Sequence, residues 1–100
     1  PQMLHLLKAC RNGEVDCIAA QTKAYLAANS EEFCYLLKFL SEMPGLIELV
    51  TEDEKYHINT IMNPEQQKEA LEKMADDYVK LDEAKYKKWK EKILQGIQEL

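Results

Sequence analysis

The stretch "EEFCYLLKFLSEM", Glu31 to Met43, carries the most apolar stripe of the chain and predicts its most buried helix. Large apolar side chains recur there at steps of three and four residues, which places them on one face of an α-helix: Phe33, Leu36, Leu37, Leu40 and Met43. Asn29 and Ser30 are residues that cap helix starts, and Pro44 with Gly45 cannot continue the helix. The sequence therefore predicts a buried helix that ends before Pro44.

Two more helices are predicted before it. The first runs from about Gln2 to Asn12, with an apolar stripe of Met3, Leu6, Leu7 and Cys10. Gly13 then supplies the positive φ at which helices commonly end. The second runs from about Val15 to Ala28 and is indicated by a stripe of Val15, Ile18, Ala19, Thr22 and Leu26.

Shorter helical signals follow the central stretch. Leu46, Leu49 and Val50 suggest a turn or two of helix, and Thr51 with Glu54 has the spacing of a capping box before the apolar residues Ile58, Ile61 and Met62. The clearest helix start is "NPEQ", Asn63 to Gln66, because Pro64 suits the first helical position and Glu65 favours the positive end of the helix dipole. No strand alternation is evident.

The segment from Pro64 to Leu100 fits either one helix or two, because Gly96 is its only glycine and it has no further proline. An unbroken helix would be roughly 55 Å long, whereas a compact domain of this size is roughly 30 to 35 Å across. Asp82 can instead cap a new helix after Leu81. We favour the break, since an unbroken helix would leave its lysine-rich half projecting alone.

The predicted fold class is all-α: a compact bundle or short solenoid-like array of about five to six helices, whose last helix is long if unbroken. With 46% hydrophobic and 31% charged residues, residues 1–100 suit a single globular domain. The chain starts at Pro1 and stops within a helical pattern at Leu100, so we expect it to be excised from a longer protein.

The charge is unevenly distributed. Five lysines and two glutamates give Glu83 to Lys92 a charge of +3, so the net charge of −5 leaves −8 on the other residues. This balance argues against general nucleic-acid binding. No apolar run approaches the roughly 20 residues of a membrane span. Three cysteines are an odd number, which favours a reducing, cytoplasmic compartment.

The stretch "LLKACRNGEVDCI" resembles the ankyrin-repeat family, in which a short helix ending in small residues, Arg, Asn and Gly turns directly into a second helix. The resemblance covers about Leu4 to Leu26 and is closest to an N-terminal capping hairpin. It places Ala9 and Cys10 at the small-residue positions and Asn12-Gly13 at the turn. It implies a scaffold that binds other proteins and has no chemistry of its own. No second copy follows at the expected period.

Catalytic and metal-binding patterns are weak. The chain has two histidines, His5 and His57, and neither lies in a nucleophile, metalloprotease or phosphate-loop motif. Paired Cys-x-x-Cys spacing is missing, and the acidic groups Glu52 to Glu54 and Asp76-Asp77 lack a calcium-binding loop. The sequence therefore predicts a non-enzymatic protein without a cofactor or metal.

The stretch "KYKKWKEKIL", Lys85 to Leu94, is the best candidate site. Its candidate partner-binding residues are Tyr86, Lys87, Lys88, Trp89, Lys90 and Lys92. An aromatic stripe flanked by lysines suits docking to another protein, an anionic membrane surface or a phosphate backbone. A core helix with a solvated outer face would have the same pattern.

From this stretch we expect an interaction module that recognises another protein through a helical surface, as a monomer or as a dimer through the last helix. The alternatives are peripheral membrane or nucleic-acid binding through the same helix, with nucleic acid less favoured, and a helical accessory domain of a larger enzyme. Integral membrane insertion is not expected.

Overall fold

The computed structural model describes residues 2–43, 48–52, 55–57, 64–75 and 79–100. In chain order the elements are α1 (Gln2–Arg11), β1 (Cys17–Ala19), a 3₁₀ turn (Lys23–Tyr25), α2 (Ser30–Ser41), β2 (Glu48–Val50), β3 (Lys55–His57), α3 (Pro64–Met74) and α4 (Glu83–Gln98). The molecule is mostly helical and carries one small three-stranded sheet. It measures 33 × 30 × 26 Å, with a Cα radius of gyration of 12.7 Å, as expected for a compact domain of this length.

Helix α2 lies at the centre of the core, as its sequence predicts. The Asn29 side chain caps it by accepting a hydrogen bond of 2.8 Å from the Glu32 amide. Seven of its residues are buried: Phe33, Cys34, Tyr35, Leu36, Leu37, Phe39 and Leu40. Both α3 and α4 pack against it. Burial on this scale, at about 1.5–3 kcal/mol for each large apolar side chain, makes α2 the main source of hydrophobic stabilisation.

The sheet has the order β1-β2-β3. Strands β1 and β2 are parallel, and strands β2 and β3 are antiparallel. Ile18 pairs with Leu49 in the register, and both side chains are buried. Parallel strands need a long crossover, and here the crossover contains the 3₁₀ turn and α2. Helix α2 is therefore connected along the chain to the sheet at both of its ends, to β1 before it and to β2 after it.

Helices α1 and α4 pack closely. A Cβ atom added at Gly96 would lie 2.9 Å from Leu4 Cδ1, so the missing side chain lets the two helices approach. Helix α1 ends at Arg11, and Gly13 follows with φ +74°, as predicted for a helix-terminating glycine.

The segment from Pro64 to Leu100 forms two helices. Helix α3 begins at Pro64, as predicted, and ends at Met74, while Asp82 caps α4. The Asp82 carboxylate accepts hydrogen bonds from the amides of Ala84 at 3.0 Å and Lys85 at 3.2 Å. The favoured break is thus confirmed, and α4 lies against the core.

The all-α prediction is wrong in detail, since four α-helices and three strands occur in the described part of the chain. Residues 15–28, predicted as a helix, contain β1 and the 3₁₀ turn. Each strand has three residues, and in β1 only Ile18 points inward, so no alternation was visible in the sequence. The expected turn of helix at Leu49 and Val50 is strand β2, and the helix expected after Thr51 is replaced at Lys55 by β3.

The other predicted features of that region, Pro44 to Leu46, Glu54 and Ile58 to Asn63, lie outside the described residues.

Replacing Asp82 with Ala should lower the free energy of unfolding by about 1 kcal/mol, because two amides in the first turn of α4 lose their acceptor. Asp82→Asn keeps an acceptor oxygen and should stay within a few tenths of a kcal/mol of the wild type. Urea denaturation followed by circular dichroism measures both. An equal decrease in the free energy of unfolding for the two variants would show that the negative charge of Asp82, and not its capping hydrogen bonds, stabilises the helix.

Candidate partner-binding surface

Helix α4 has an inner face in the core and an outer face in solvent. On the inner face Tyr86 and Ile97 are buried, and Trp89, Ile93 and Leu94 are half-buried against the core. The outer face is polar, and its exposed residues are Glu83, Ala84, Lys85, Lys87, Lys88, Glu91, Lys92, Gln95 and Gln98. The helix thus presents charge on one side because its apolar stripe is used for packing on the other.

An aromatic cluster joins α4 to α2. The Trp89 ring meets Phe39 edge-on with their centroids 5.7 Å apart, and its centroid lies 6.1 Å from those of Tyr35 and Tyr86. Tyr35 and Tyr86 are also in ring contact, at 6.0 Å. Such tilted and edge-on pairs add to the stabilisation from burial alone. The cluster therefore fixes the orientation of α4 on the core.

The Tyr86 side chain is held by a carboxylate and lies between two cations. Its hydroxyl donates a hydrogen bond of 3.2 Å to Glu42 Oε1, while Lys90 Nζ lies 2.6 Å from Glu42 Oε2. The ammonium groups of Lys38 and Lys90 lie 5.2 and 5.9 Å from the ring centroid, within cation–π range. Burial, and then the nearby Glu42 carboxylate, raise the pKa of Tyr86 above its ordinary value. Tyr86 is therefore a neutral donor at neutral pH.

The lysines of α4 differ in their ion pairing. Lys90 pairs closely with Glu42, whereas Lys85 is only within 3.9 Å of Glu31. Within the described residues, no ion pair involves Lys87, Lys88 or Lys92. At 100° per residue, Lys85, Lys88 and Lys92 lie within about 60° of one another around the helix. We call these three residues the basic strip.

The candidate residues thus divide into two groups. Tyr86 and Trp89 contact α2 and Lys90 contacts Glu42 just beyond its end, while Lys87, Lys88 and Lys92 project into solvent. The sequence pattern did not reveal the role of Glu42. It lies 44 residues from Tyr86 and 48 from Lys90, so no local spacing could signal the contact.

A second surface was not predicted from the sequence, because part of it is formed by residues 15–28, which were expected to be helical. An open groove of about 500 Å³ lies between α1 and residues 19–26, and it is lined by Met3, Leu6, Ala19, Ala20, Gln21, Tyr25 and Leu26. Tyr25 is 70% exposed, the most exposed large hydrophobic residue of the described chain. Strand β1 and the 3₁₀ turn bring these residues beside α1.

The cysteines do not form a site with the described acidic and histidine residues. Cys10 and Cys34 are buried, Cys17 is exposed, and all three are free thiols. Burial raises the pKa of Cys34 to about 11, with a contribution from the Glu72 carboxylate, and burial also raises that of Cys10. Among the described residues, no three His, Cys, Asp or Glu side chains are grouped to hold a metal ion. The side chain of His57, together with Asp53, Glu54, Asp76 and Asp77, lies outside the description.

Comparison of the chain with protein-family models, with curated proteins and with solved structures found no match. The resemblance to an ankyrin capping hairpin therefore stays a prediction. Helix α1 and the Gly13 turn are present, while residues 15–28 have the strand and 3₁₀ turn described above.

In the described part of the chain, no helix combines the length and the apolar character needed to cross a membrane.

Replacing Trp89 with Ala should lower the free energy of unfolding by about 2–3 kcal/mol, because the half-buried indole contacts three rings. Lys88→Ala, on the outer face of the same helix, should change it by less than about 0.5 kcal/mol. Urea denaturation measures both. A stability of Trp89→Ala close to that of Lys88→Ala would contradict the packing of α4 described here.

At pH 8, one thiol per folded chain should react rapidly with a disulfide reagent such as DTNB, and three should react after denaturation. Cys17 is exposed, whereas burial keeps Cys10 and Cys34 both inaccessible and protonated at that pH. Cys17→Ser is the control and should remove the fast phase alone. Fast reaction of two thiols in the folded protein would show that the core opens readily.

Proposed function

We propose that this chain is a protein-protein interaction module that binds an acidic segment of a partner through the outer face of α4. The basic strip, Lys85, Lys88 and Lys92, provides the charge, and Lys87 lies beside it. Tyr86, Trp89 and Lys90 act beneath this surface by holding the helix on the core. The proposed function involves no catalytic step and no cofactor.

The observation that carries the proposal is that some lysines lie beside a carboxylate and others do not. Lys90 pairs with Glu42, Lys38 and Lys68 share the Glu83 carboxylate, and Lys85 lies within 3.9 Å of Glu31, so each of these lysines has an acidic neighbour. Lys88 and Lys92 have no such neighbour within the described residues. The charges of Lys88 and Lys92, on a protein of net charge −5, create a local positive field, which steers an acidic partner to this face.

Binding to a membrane surface is less well supported. A helix that lies on a bilayer buries large apolar side chains, but the exposed face of α4 offers only Ala84. Trp89, the residue suited to insertion, packs on Phe39 and Tyr35 instead. For nucleic acid, Glu83 and Glu91 on the same face would face the phosphates. A protein partner accommodates mixed charge more readily than either polyanion.

A cytoplasmic location is part of the proposal, since a reducing compartment would maintain the three free thiols. An accessory role in a larger enzyme is compatible with the same surface. In that case the acidic segment would belong to another domain or subunit of that enzyme.

The double variant Lys88→Glu/Lys92→Glu should weaken binding of an acidic peptide about tenfold or more, because two attractive contacts become repulsive. The probe is a fluorescein-labelled helical peptide with four glutamates, measured by fluorescence anisotropy at 50 mM NaCl. Its glutamine counterpart should bind at least tenfold more weakly. Lys8→Glu/Lys73→Glu is the matched control: it makes the same change in net charge on other helices, and we expect less than a twofold effect.

Equal loss of binding in both double variants would show a response to net charge and refute a defined surface. Tighter binding to vesicles containing 30% phosphatidylserine, or to a 20-base-pair duplex, would replace the proposal with one of the two polyanion alternatives. Unchanged binding in Lys88→Glu/Lys92→Glu would remove the basic strip from the function.

A further inference from the structure

Among the described residues, strand β1 is paired along one edge only, and we call its other edge the open edge. Its hydrogen bonds to β2 fix which backbone groups point inward: the Glu48 amide donates to the Asp16 carbonyl at 3.3 Å, and the Ala20 amide donates to the Val50 carbonyl at 2.9 Å. In a parallel pair, alternate residues bond to the neighbouring strand, so Asp16, Ile18 and Ala20 face β2. The N–H and C=O groups of Cys17 and Ala19 therefore point away from the sheet. No hydrogen bond to them occurs among the described residues.

The open edge leads into the apolar groove. Ala19 and Ala20, at the end of the strand, form part of its lining, and Met3, Leu6, Tyr25 and Leu26 supply larger apolar surface. The volume of about 500 Å³ is enough for one or two large side chains. An exposed backbone edge beside an apolar groove is the arrangement that binds extended peptides by strand addition, with the backbone giving affinity and the groove giving selectivity.

The other end of the edge is acidic. Glu14 and Asp16 precede β1, are exposed, and take part in no ion pair between described residues. The cation Arg11, at the end of α1, lines a pocket with Glu42 and Lys90. A ligand along β1 therefore meets negative charge at one end and apolar surface at the other.

We propose that the open edge of β1 binds an extended segment of a partner protein as an added antiparallel strand. A large apolar side chain of the segment occupies the groove at Ala20, and a lysine or arginine lies beside Asp16. These two positions are four residues apart, or about 13 Å along a strand, and share one face of the strand. Because the added strand is antiparallel, the apolar residue precedes the basic one. This surface is separate from the basic strip and does not depend on the function proposed for it.

The probe is the fluorescein-labelled peptide Gly-Leu-Thr-Val-Thr-Lys-Gly with an amidated C-terminus, measured by anisotropy with the full chain. In the proposed register, its leucine lies at Ala20, its valine opposite Ile18 and its lysine opposite Asp16. The two threonines pair with Ala19 and Cys17, and these pairs exchange backbone hydrogen bonds. Exchanging the leucine and lysine of the peptide should weaken binding at least fivefold.

Ala19→Pro should weaken binding at least tenfold. Proline removes the outward N–H of residue 19 while leaving the Ala20 bond to Val50 in place, and edge strands tolerate proline where the N–H faces solvent. Ala19→Ser, which retains the N–H, is the matched control and should bind within twofold of the wild type.

N-methylation of the peptide gives the same test without altering the protein. Methylating both threonine amides should abolish binding, whereas methylating the valine amide should leave it within twofold, because that amide faces away from β1.

Failure of the probe to bind more tightly than its leucine–lysine exchanged form would overturn the proposal, as would equal effects of the two methylation patterns. A concentration-dependent dimer in sedimentation velocity that Ala19→Pro abolishes, without peptide binding, would assign the edge to a second copy of this chain instead. Should Ala19→Pro fail to fold by circular dichroism, the methylated peptides decide alone.

Discussion

Burial of α2 against α3 and α4 is the constraint on which the rest of the structure depends. Leu37, Phe39 and Leu40 are completely buried, so the helix offers apolar surface in several directions. Helix α4 covers part of that surface and uses its own apolar stripe in doing so. Its orientation follows from this, because Trp89 fits between the rings of Tyr35 and Phe39. Consequently Lys85, Lys87, Lys88 and Lys92 face solvent whatever their function.

Polar contacts at the edges of this packing then determine which lysines have a carboxylate beside them and which do not. Glu42, just beyond the end of α2, accepts a hydrogen bond from Tyr86 and pairs with Lys90. Glu83, at the start of α4, lies near Lys38 and Lys68. Exposed ion pairs of this kind contribute little to stability. Their larger effect is on the surface potential, since they place carboxylates beside the lysines at the helix contacts, whereas Lys88 and Lys92 have no ion pair among the described residues of this acidic protein.

The two candidate surfaces display different chemistry. The outer face of α4 presents side-chain charges, whose attraction is long-range and falls with added salt. The edge of β1 presents backbone groups, whose hydrogen bonds are short-range and directional, and the apolar groove beside it adds selectivity. A partner that used both would be drawn in by charge and held in register by the strand. A helix and a short sheet edge on one small domain make this combination possible.

The sequence by itself determined those helices whose stripes and caps are formed by residues close together in the chain. The apolar stripe from Phe33 to Met43, the Asn29 and Asp82 caps and the start at Pro64 each depend on neighbouring residues, and the structure has them. Only the tertiary structure decided the strands, because β1 and β2 are about 30 residues apart and each has three residues. It also separated Tyr86 and Trp89, which pack on α2, from the lysines beside them. Both outcomes depend on long-range packing, and the single buried side chain in each of β1 and β2 is too little for any sequence period to reveal.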